Sequence, residues 1–455
     1  MTVLTRLLRG LAAAVLIAAV LGPLAPAASA QTPRPVTLVE ALTQAAQNNL
    51  SLRAAAFEVA IARAQLAQAE AARSGQAVLT ASYTRLNESA GSTIVIPGGT
   101  FPGVPGPTTI TLPSPSANLF SSALTYQYPV FTGGRIESQI GLARANLKGA
   151  EAVVERVKQQ VILDVKQTYY QFLLAQAGVE VAMRTLASAD ENLRVARARV
   201  AAGVAPRFDE VQAEVNQANA RQTLIRGRNA VALAQHGLDA VMGLPLDTVL
   251  QPRETMTIVA VRSEIGALVR RALENRPELA EHQARLAAAL AAIEIARSGG
   301  RPALVLSGGP TYGNATGVTA GASVAFGWSV TLSATVPLFD GGLTAQRVRE
   351  AEARVEQLRV VEAQLRQSVE LDVRRAMLTF SSAAEELTAA DKIIEQAQEG
   401  LRIANVRFAA GVSTNLEVIT AQTSLSQAEA NRIQALFNIN VARAQLERAT
   451  GGPVE

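Results

Sequence analysis

Tyr128-Pro-Val-Phe-Thr-Gly-Gly134 returns 208 residues later as Val336-Pro-Leu-Phe-Asp-Gly-Gly342. At the same offset Leu163-Asp-Val-Lys166 returns as Leu371-Asp-Val-Arg374, Ala201-Ala-Gly-Val204 as Ala409-Ala-Gly-Val412, and Gly243-Leu-Pro245 as Gly451-Gly-Pro453. More than a hundred positions align without an insertion, so the chain is an internal duplication. Upstream the offset becomes 227, because Asn48-Asn-Leu-Ser-Leu52 matches Asn275-Arg-Pro-Glu-Leu279. The first copy therefore carries about nineteen extra residues, which fall in the Gly/Pro/Thr-rich stretch Ser92 to Pro115 and read as an elongated surface loop.

Each repeat has the same order of parts: a helix, a strand region without charges, a very long helix, a tight turn and a returning helix. The long helix of the first repeat is expected over Arg135 to Ala202, 68 residues without a proline. At about 1.5 Å per residue it reaches roughly 100 Å. Val154, Val157, Val161, Val165, Tyr169 and Phe172 follow spacings of three and four, as do Leu365, Val369, Val373, Met377 and Phe380. Helices this long cannot bury such a stripe on a small globular core and must lie side by side in coiled-coil-like pairs. The expected divisions are a signal peptide over 1–30, a first repeat over 31–245, a linker over 246–262 and a second repeat over 263–453.

Charged residues are absent from Ser89 to Gly134 and from Pro302 to Phe339, two repeat-equivalent segments. They hold nine of the eighteen aromatic residues of the chain: Phe101, Phe120, Tyr126, Tyr128, Phe131, Tyr312, Phe326, Trp328 and Phe339. Within them the pattern switches to period two, with Val330, Leu332, Ala334 and Val336 alternating with Thr331, Ser333 and Thr335. An apolar face, an uncharged polar face and aromatics near the ends match strands that face lipid on one side and water on the other. A soluble sandwich core is the alternative, but it ordinarily carries charges on its solvent face. Each segment has room for two strands, and four strands are too few to close a barrel of useful bore. Open edges are intolerable in lipid, so several copies must share one barrel.

The first thirty residues read as an export signal: Arg6 and Arg9, an apolar run from Leu11 to Leu21, and Ala28-Ser29-Ala30 before Gln31. Subtracting Arg6 and Arg9 from 42 basic residues leaves 40 against 38 acidic ones, a mature net charge of +2 that argues against a nucleic-acid partner. There is no cysteine, so disulfides, thiolate metal sites and a cysteine-linked lipid anchor are not expected. No later run is long and apolar enough for a spanning helix. Together these readings give an exported membrane α+β protein, duplicated and oligomeric. A purely structural periplasmic coiled-coil protein of the cell envelope is the main rival, and it leaves the two charge-free segments unexplained.

The duplicated order, the two Pro-x-Phe-x-Gly-Gly junctions and the two Ala-Gly-Val tips, each followed by an acid, resemble the TolC-like outer-membrane efflux proteins from about Leu38 to Pro453. The resemblance implies a homotrimer in a Gram-negative outer membrane, its lipid-embedded twelve-stranded barrel continuing into the periplasm as a barrel of helices. It also implies an exit duct of an efflux or type I secretion system, partnered by a periplasmic adaptor and an inner-membrane transporter. The hairpin tips at Gly203, Val204, Gly411 and Val412 are then candidates for adaptor docking. Asp209 and Glu417 stand where family members place acids at the periplasmic entrance, although helix capping, through Thr414 and Glu417, is an equal reading. Phe408 matches the aromatic of the closed entrance, whereas Ser413 stands where some members have Arg; Arg407 and Arg207 are nearby. Trp328, Tyr126 and Tyr128 are candidates for the membrane interface. No catalytic, cofactor or metal constellation is found: His236 and His282 are isolated, and no enzyme activity is expected.

Overall fold

The computed structural model describes residues 34–85, 93–98, 102–103, 106–111, 118–257, 264–314 and 324–454. The expected signal peptide lies outside the described residues, as do Phe101, residues 258–262 of the expected linker and residue 263, the first of the expected second repeat. In chain order the elements are β1 (Arg34–Val36), α1 (Leu38–Asn48), α2 (Leu50–Ala71), β2 (Gln76–Arg85), β3 (Thr93–Ile96), β4 (Thr108–Thr111) and β5 (Asn118–Phe131). Then follow α3 (Arg135–Ala201), α4 (Arg207–Met242), β6 (Leu250–Pro252), α5 (Ile265–Asn275), α6 (Pro277–Ser298), β7 (Ala303–Asn314), β8 (Val324–Thr335), α7 (Leu343–Ala409) and α8 (Asn415–Thr450). The long helices α3 and α7 each have 67 residues, and the returning helices α4 and α8 each have 36.

Local chemistry explains where these helices start and stop. Thr132 Oγ1 accepts from the Ile136 N–H at 3.2 Å, and Asp340 Oδ2 accepts from the Thr344 N–H at 2.8 Å, so equivalent side chains satisfy the first turns of α3 and α7. Hydrogen bonds from Thr344 and Gly342 hold the Asp340 carboxyl below its ordinary pKa. At the far ends, Gly203 and Gly411 take positive φ and the next N–H reaches back, Val204 to Arg199 O and Val412 to Arg407 O. Gly243 and Gly451 close α4 and α8 in the same way.

Two compact units are present, and their boundaries cut across the repeats. One combines residues up to Asn49 with Asp164–Ile258 and Ala383–Val441. Its core holds Val165, Tyr169, Phe172, Leu238 and Met242, all nearly or wholly buried, so the stripe of α3 is inward over this stretch. Each such side chain contributes about 1.5–3 kcal/mol by leaving water. The Tyr169 hydroxyl lies 3.4 Å from both Val36 O and Glu254 Oε2, and burial raises its pKa. The α3 helix also contacts α8 through the Thr185 and Ser426 hydroxyls at 2.9 Å.

The other unit combines Leu50–Leu163, Val259–Ser382 and Ala442–Glu455. Leu268, Ala272 and Leu279 pack on Val369, Val373 and Ala376 of α7 and on Leu446 and Ala449 of α8. Arg276, with only 5% of its side chain exposed, is held by Glu278 at 3.1 Å and Asp372 at 3.0 Å, so its charge is paired where water is excluded.

The same unit carries a four-stranded antiparallel sheet in the order β2-β5-β7-β8. Two details differ from the sequence reading. The first strand that repeat one gives to this sheet, β2, begins at Gln76, upstream of the charge-free segment, and ends on a charge, Arg85. The stretch expected as a plain loop contains a β3–β4 hairpin, with Ile94 opposite Ile110. In addition, α3 ends at Ala201 rather than Ala202.

Candidate functional site: hairpin tips and a two-faced sheet

The tips belong to the first unit. Each is a short turn between antiparallel helices, and Val204 and Val412 are two-thirds exposed at equivalent places. The first hairpin is clamped by Arg197, which reaches Glu214 at 2.6 Å and Glu210 at 3.5 Å, and by Gln217 donating to Asp190 Oδ1 at 2.8 Å. In the second hairpin Arg432 meets Asp391 at 2.6 Å. The two tips touch through Arg199, whose guanidinium lies 4.5 Å from the centroid of the Phe408 ring. Phe408 thus has a cationic partner that is neither Arg407 nor Arg207.

The two candidate acids are not alike. Glu417 accepts from the Ser413 hydroxyl at 2.8 Å and pairs with Arg407 at 3.2 Å. Its carboxylate is turned to those groups, not back to the Thr414 N–H, so the expected reciprocal capping box is not formed. Asp209 sits in the first turn of α4, where the helix dipole favours an anion. Among the described residues it has no ion-pair partner.

In the second unit the strand register sorts the side chains into two faces. One face carries Leu79, Ala81 and Tyr83 of β2, Phe120, Leu124, Tyr126 and Tyr128 of β5, Leu306, Pro310 and Tyr312 of β7, and Phe326, Trp328, Val330 and Leu332 of β8. The opposite face carries Thr80, Ser82, Ser121, Thr125, Gln127, Ser307, Thr311, Ser329, Thr331 and Ser333, polar and uncharged. Trp328 is 73% exposed on the apolar face, and Phe326, Val330 and Leu332 are exposed beside it. Tyr126 donates its hydroxyl to Ser74 O at 2.5 Å, and Tyr128 is partly exposed on the same face. No helix among the described residues is long and apolar enough to cross a membrane.

Sequence reasoning missed one titratable group. Asp239, near the end of α4, is wholly buried with neither carboxylate oxygen hydrogen-bonded. Burial pushes its pKa up to about 6, His236 opposes that shift and Asp247 adds to it. Its repeat equivalent Glu447 pairs with Arg443 at 3.3 Å. Gln235, which replaces that Arg in the first repeat, donates instead to Thr248 O. The missing basic partner at i−4 was the available signal.

Long helices and a sheet with one apolar and one polar face, charged only at the end of β2, are features that suit an outer-membrane channel. The family model for outer membrane efflux proteins matches residues 41–244 and again 268–452, and the chain belongs to that family. The pyoverdine export outer membrane protein OpmQ of Pseudomonas aeruginosa is 28% identical over 86% of this chain and 81% of its own. The probable outer membrane lipoprotein SilC of Salmonella typhimurium is 23% identical over 90% and 84%. Among solved structures, the CmeC outer membrane channel of Campylobacter jejuni superposes with a TM-score of 0.75 at 17% identity, over 92% of this chain and 86% of that one. The protein is therefore an outer-membrane efflux protein, and its fold is that of the TolC-like channels.

Proposed function

We propose that this protein is the passive exit duct of a multi-component efflux or secretion system, and that three copies share one twelve-stranded barrel. The observation that carries the reading is the sheet with one apolar and one polar face, charged only at Arg85 on the last position of β2, whose outer strands β2 and β8 have no neighbouring strand among the described residues. A lipid-embedded sheet cannot keep such edges open. The apolar face meets outer-membrane lipid, with Trp328, Tyr126 and Tyr128 near its interfaces, and the polar face lines the lumen.

The helical part then extends into the periplasm, where Gly203, Val204, Gly411 and Val412 meet an adaptor coupled to an inner-membrane transporter. Asp209 and Glu417 line the entrance beside Phe408, and the pore catalyses no reaction. SilC bears the name of a lipoprotein, but this chain has no cysteine to carry such an anchor, and none is proposed. The repeat boundaries 31–245 and 263–453, with a linker between and a signal peptide before them, reflect duplication of one ancestral unit.

Trp328 is the single tryptophan, which makes the membrane reading directly testable. Reconstituted into vesicles with bromine on the acyl chains, the protein is expected to lose much of its tryptophan fluorescence. Emission unchanged from that in unbrominated vesicles would place the apolar face outside lipid and favour the structural coiled-coil alternative.

A further inference from the structure

A groove of about 950 Å³ runs between α3, α6 and α7 where these helices meet the sheet. Arg135 opens α3 directly after β5, and Gly299 closes the groove at the corner before β7. Its floor is apolar, made by Leu142 of α3 and by Ala288, Ala292 and Ile295 of α6. From Ala288 to Gly299 that floor runs about 16 Å. Arg135, Arg347 and Arg354 stand on the walls. Arg354 is neutralised by Glu350 at 2.6 Å, whereas Arg135 and Arg347 have no ion-pair partner among the described residues.

The side on which the groove opens follows from handedness. An added Cβ at Gly308 would stand 2.7 Å from Ser329 O of β8, and one at Gly313 2.6 Å from Phe120 O of β5. A neighbour's carbonyl reaches that close only at a pair without mutual hydrogen bonds. The even-numbered residues of β7, those of the apolar face, therefore aim their own amides at β5, and the odd-numbered ones aim theirs at β8. In a chain of L-residues running upward with such side chains toward the viewer, these amides point right. Seen from the apolar side, β5 and α3 thus lie to the right of β7, and β8 and α7 to its left. Helix α6 also runs upward, between α3, where Gly149 meets Ala284, and α7, where His282 Nε2 lies 2.9 Å from Leu358 O. Right-handed winding then turns Ala288, Ala292 and Ile295 to the far side, that of the polar sheet face, and leaves Leu290 and Arg297 exposed on the near one.

We propose that this groove binds anionic amphiphiles from the lumen, the apolar body on the alanine floor and a sulfonate, carboxylate or phosphate on Arg135 and Arg347, and that such molecules are among the cargo. This rests on the duct reading and adds to it a chemical class of passenger. An apolar trough with two unpaired guanidiniums has the composition of a small-molecule site, and guanidinium bonds to an anion are stronger than neutral ones.

The test uses the full-length protein with naphthalene-1-sulfonate and its neutral analogue 1-naphthylmethanol. In detergent the sulfonate is expected to bind more tightly than the analogue, and Arg135→Gln with Arg347→Gln to weaken it roughly tenfold or more, the loss expected for charge-assisted hydrogen bonds. Arg347→Gln alone serves should the pair not fold. Arg135→Lys with Arg347→Lys should keep most of the binding, and Arg297→Gln, on the other face of α6, should leave it unchanged. In planar bilayers the sulfonate should lower single-channel current at concentrations that leave the double Gln variant conducting freely. Equal binding of sulfonate and analogue, or undiminished binding by the double Gln variant, would overturn the site. Binding without effect on the current of a conducting channel would overturn its place in the passage. A protein that never conducts would remove the duct reading and the cargo with it, a failure that the binding measurement separates from failure of the site.

Discussion

At the scale of single residues, the two acids proposed for the entrance differ in what they are free to do. Glu417 is paired with Arg407, whereas Asp209 has no ion-pair partner among the described residues, so in the proposed trimeric duct we expect the ring of Asp209 to dominate ion preference. Asp209→Asn should move the reversal potential of single channels in a salt gradient toward zero, and Glu417→Gln should move it much less. Arg407→Gln frees Glu417 and should strengthen the cation preference. Equal effects of the two acid substitutions would mean that the Arg407 pair does not persist in the open pore. Asp239, buried away from both tips' ion pairs, is expected to bear on stability. Its pKa rises from 3.8 to about 6 on folding, so the native state holds a proton that the unfolded chain releases. Stability from this group is present below about pH 4, declines as pH rises toward 6, and stays low above it. Asp239→Asn should flatten that part of the melting temperature against pH, whereas an unchanged profile would assign the dependence to other groups. The two acids and Phe408 were legible in the sequence but their partners were not, because Arg407 and Glu417 meet across a turn and Arg199 and Phe408 are far apart in the chain; burial of Asp239 depends on tertiary packing, and the missing basic partner at i−4 was its one signal.

At the scale of elements, the positions of turns and helix ends follow from local chemistry and were largely readable. The Ala-Gly-Val tips and the Pro-x-Phe-x-Gly-Gly junctions mark chain reversal and helix start because only glycine takes positive φ without cost. The strands were less readable where charge was the criterion: β2 escaped because Arg85 stands at its last position, and β3 and β4 hid in a Gly/Pro-rich insertion. The structure adds that glycines of like conformation differ in what surrounds them. Gly203 has φ +73 and open space around it, so Gly203→Ala should cost about 1–2 kcal/mol from the left-handed backbone alone. A Cβ at Gly243 would stand 2.5 Å from the Asn48 carbonyl oxygen, so Gly243→Ala forces the α1–α2 joint to move as well. Thermal unfolding of the two variants should show a clearly larger loss for Gly243→Ala. Equal losses would mean that this joint yields without strain.

At the scale of the whole molecule, the two repeats supply equivalent helices and strands, yet each compact unit takes pieces of both. A fold in which neither repeat stands alone is consistent with a chain that completes its sheet only against other copies. Duplication and the charge-free segments carried this much in the sequence, since a sheet with exposed aromatics and a single charge at one strand end has few uses outside a membrane. The most direct test is the conductance of the detergent-purified mature protein in a planar bilayer, with native mass determined on the same sample. Discrete conducting steps from a trimer are expected. A protein that stays soluble without detergent and never produces steps would mean that the sheet faces water and that the protein is not a duct.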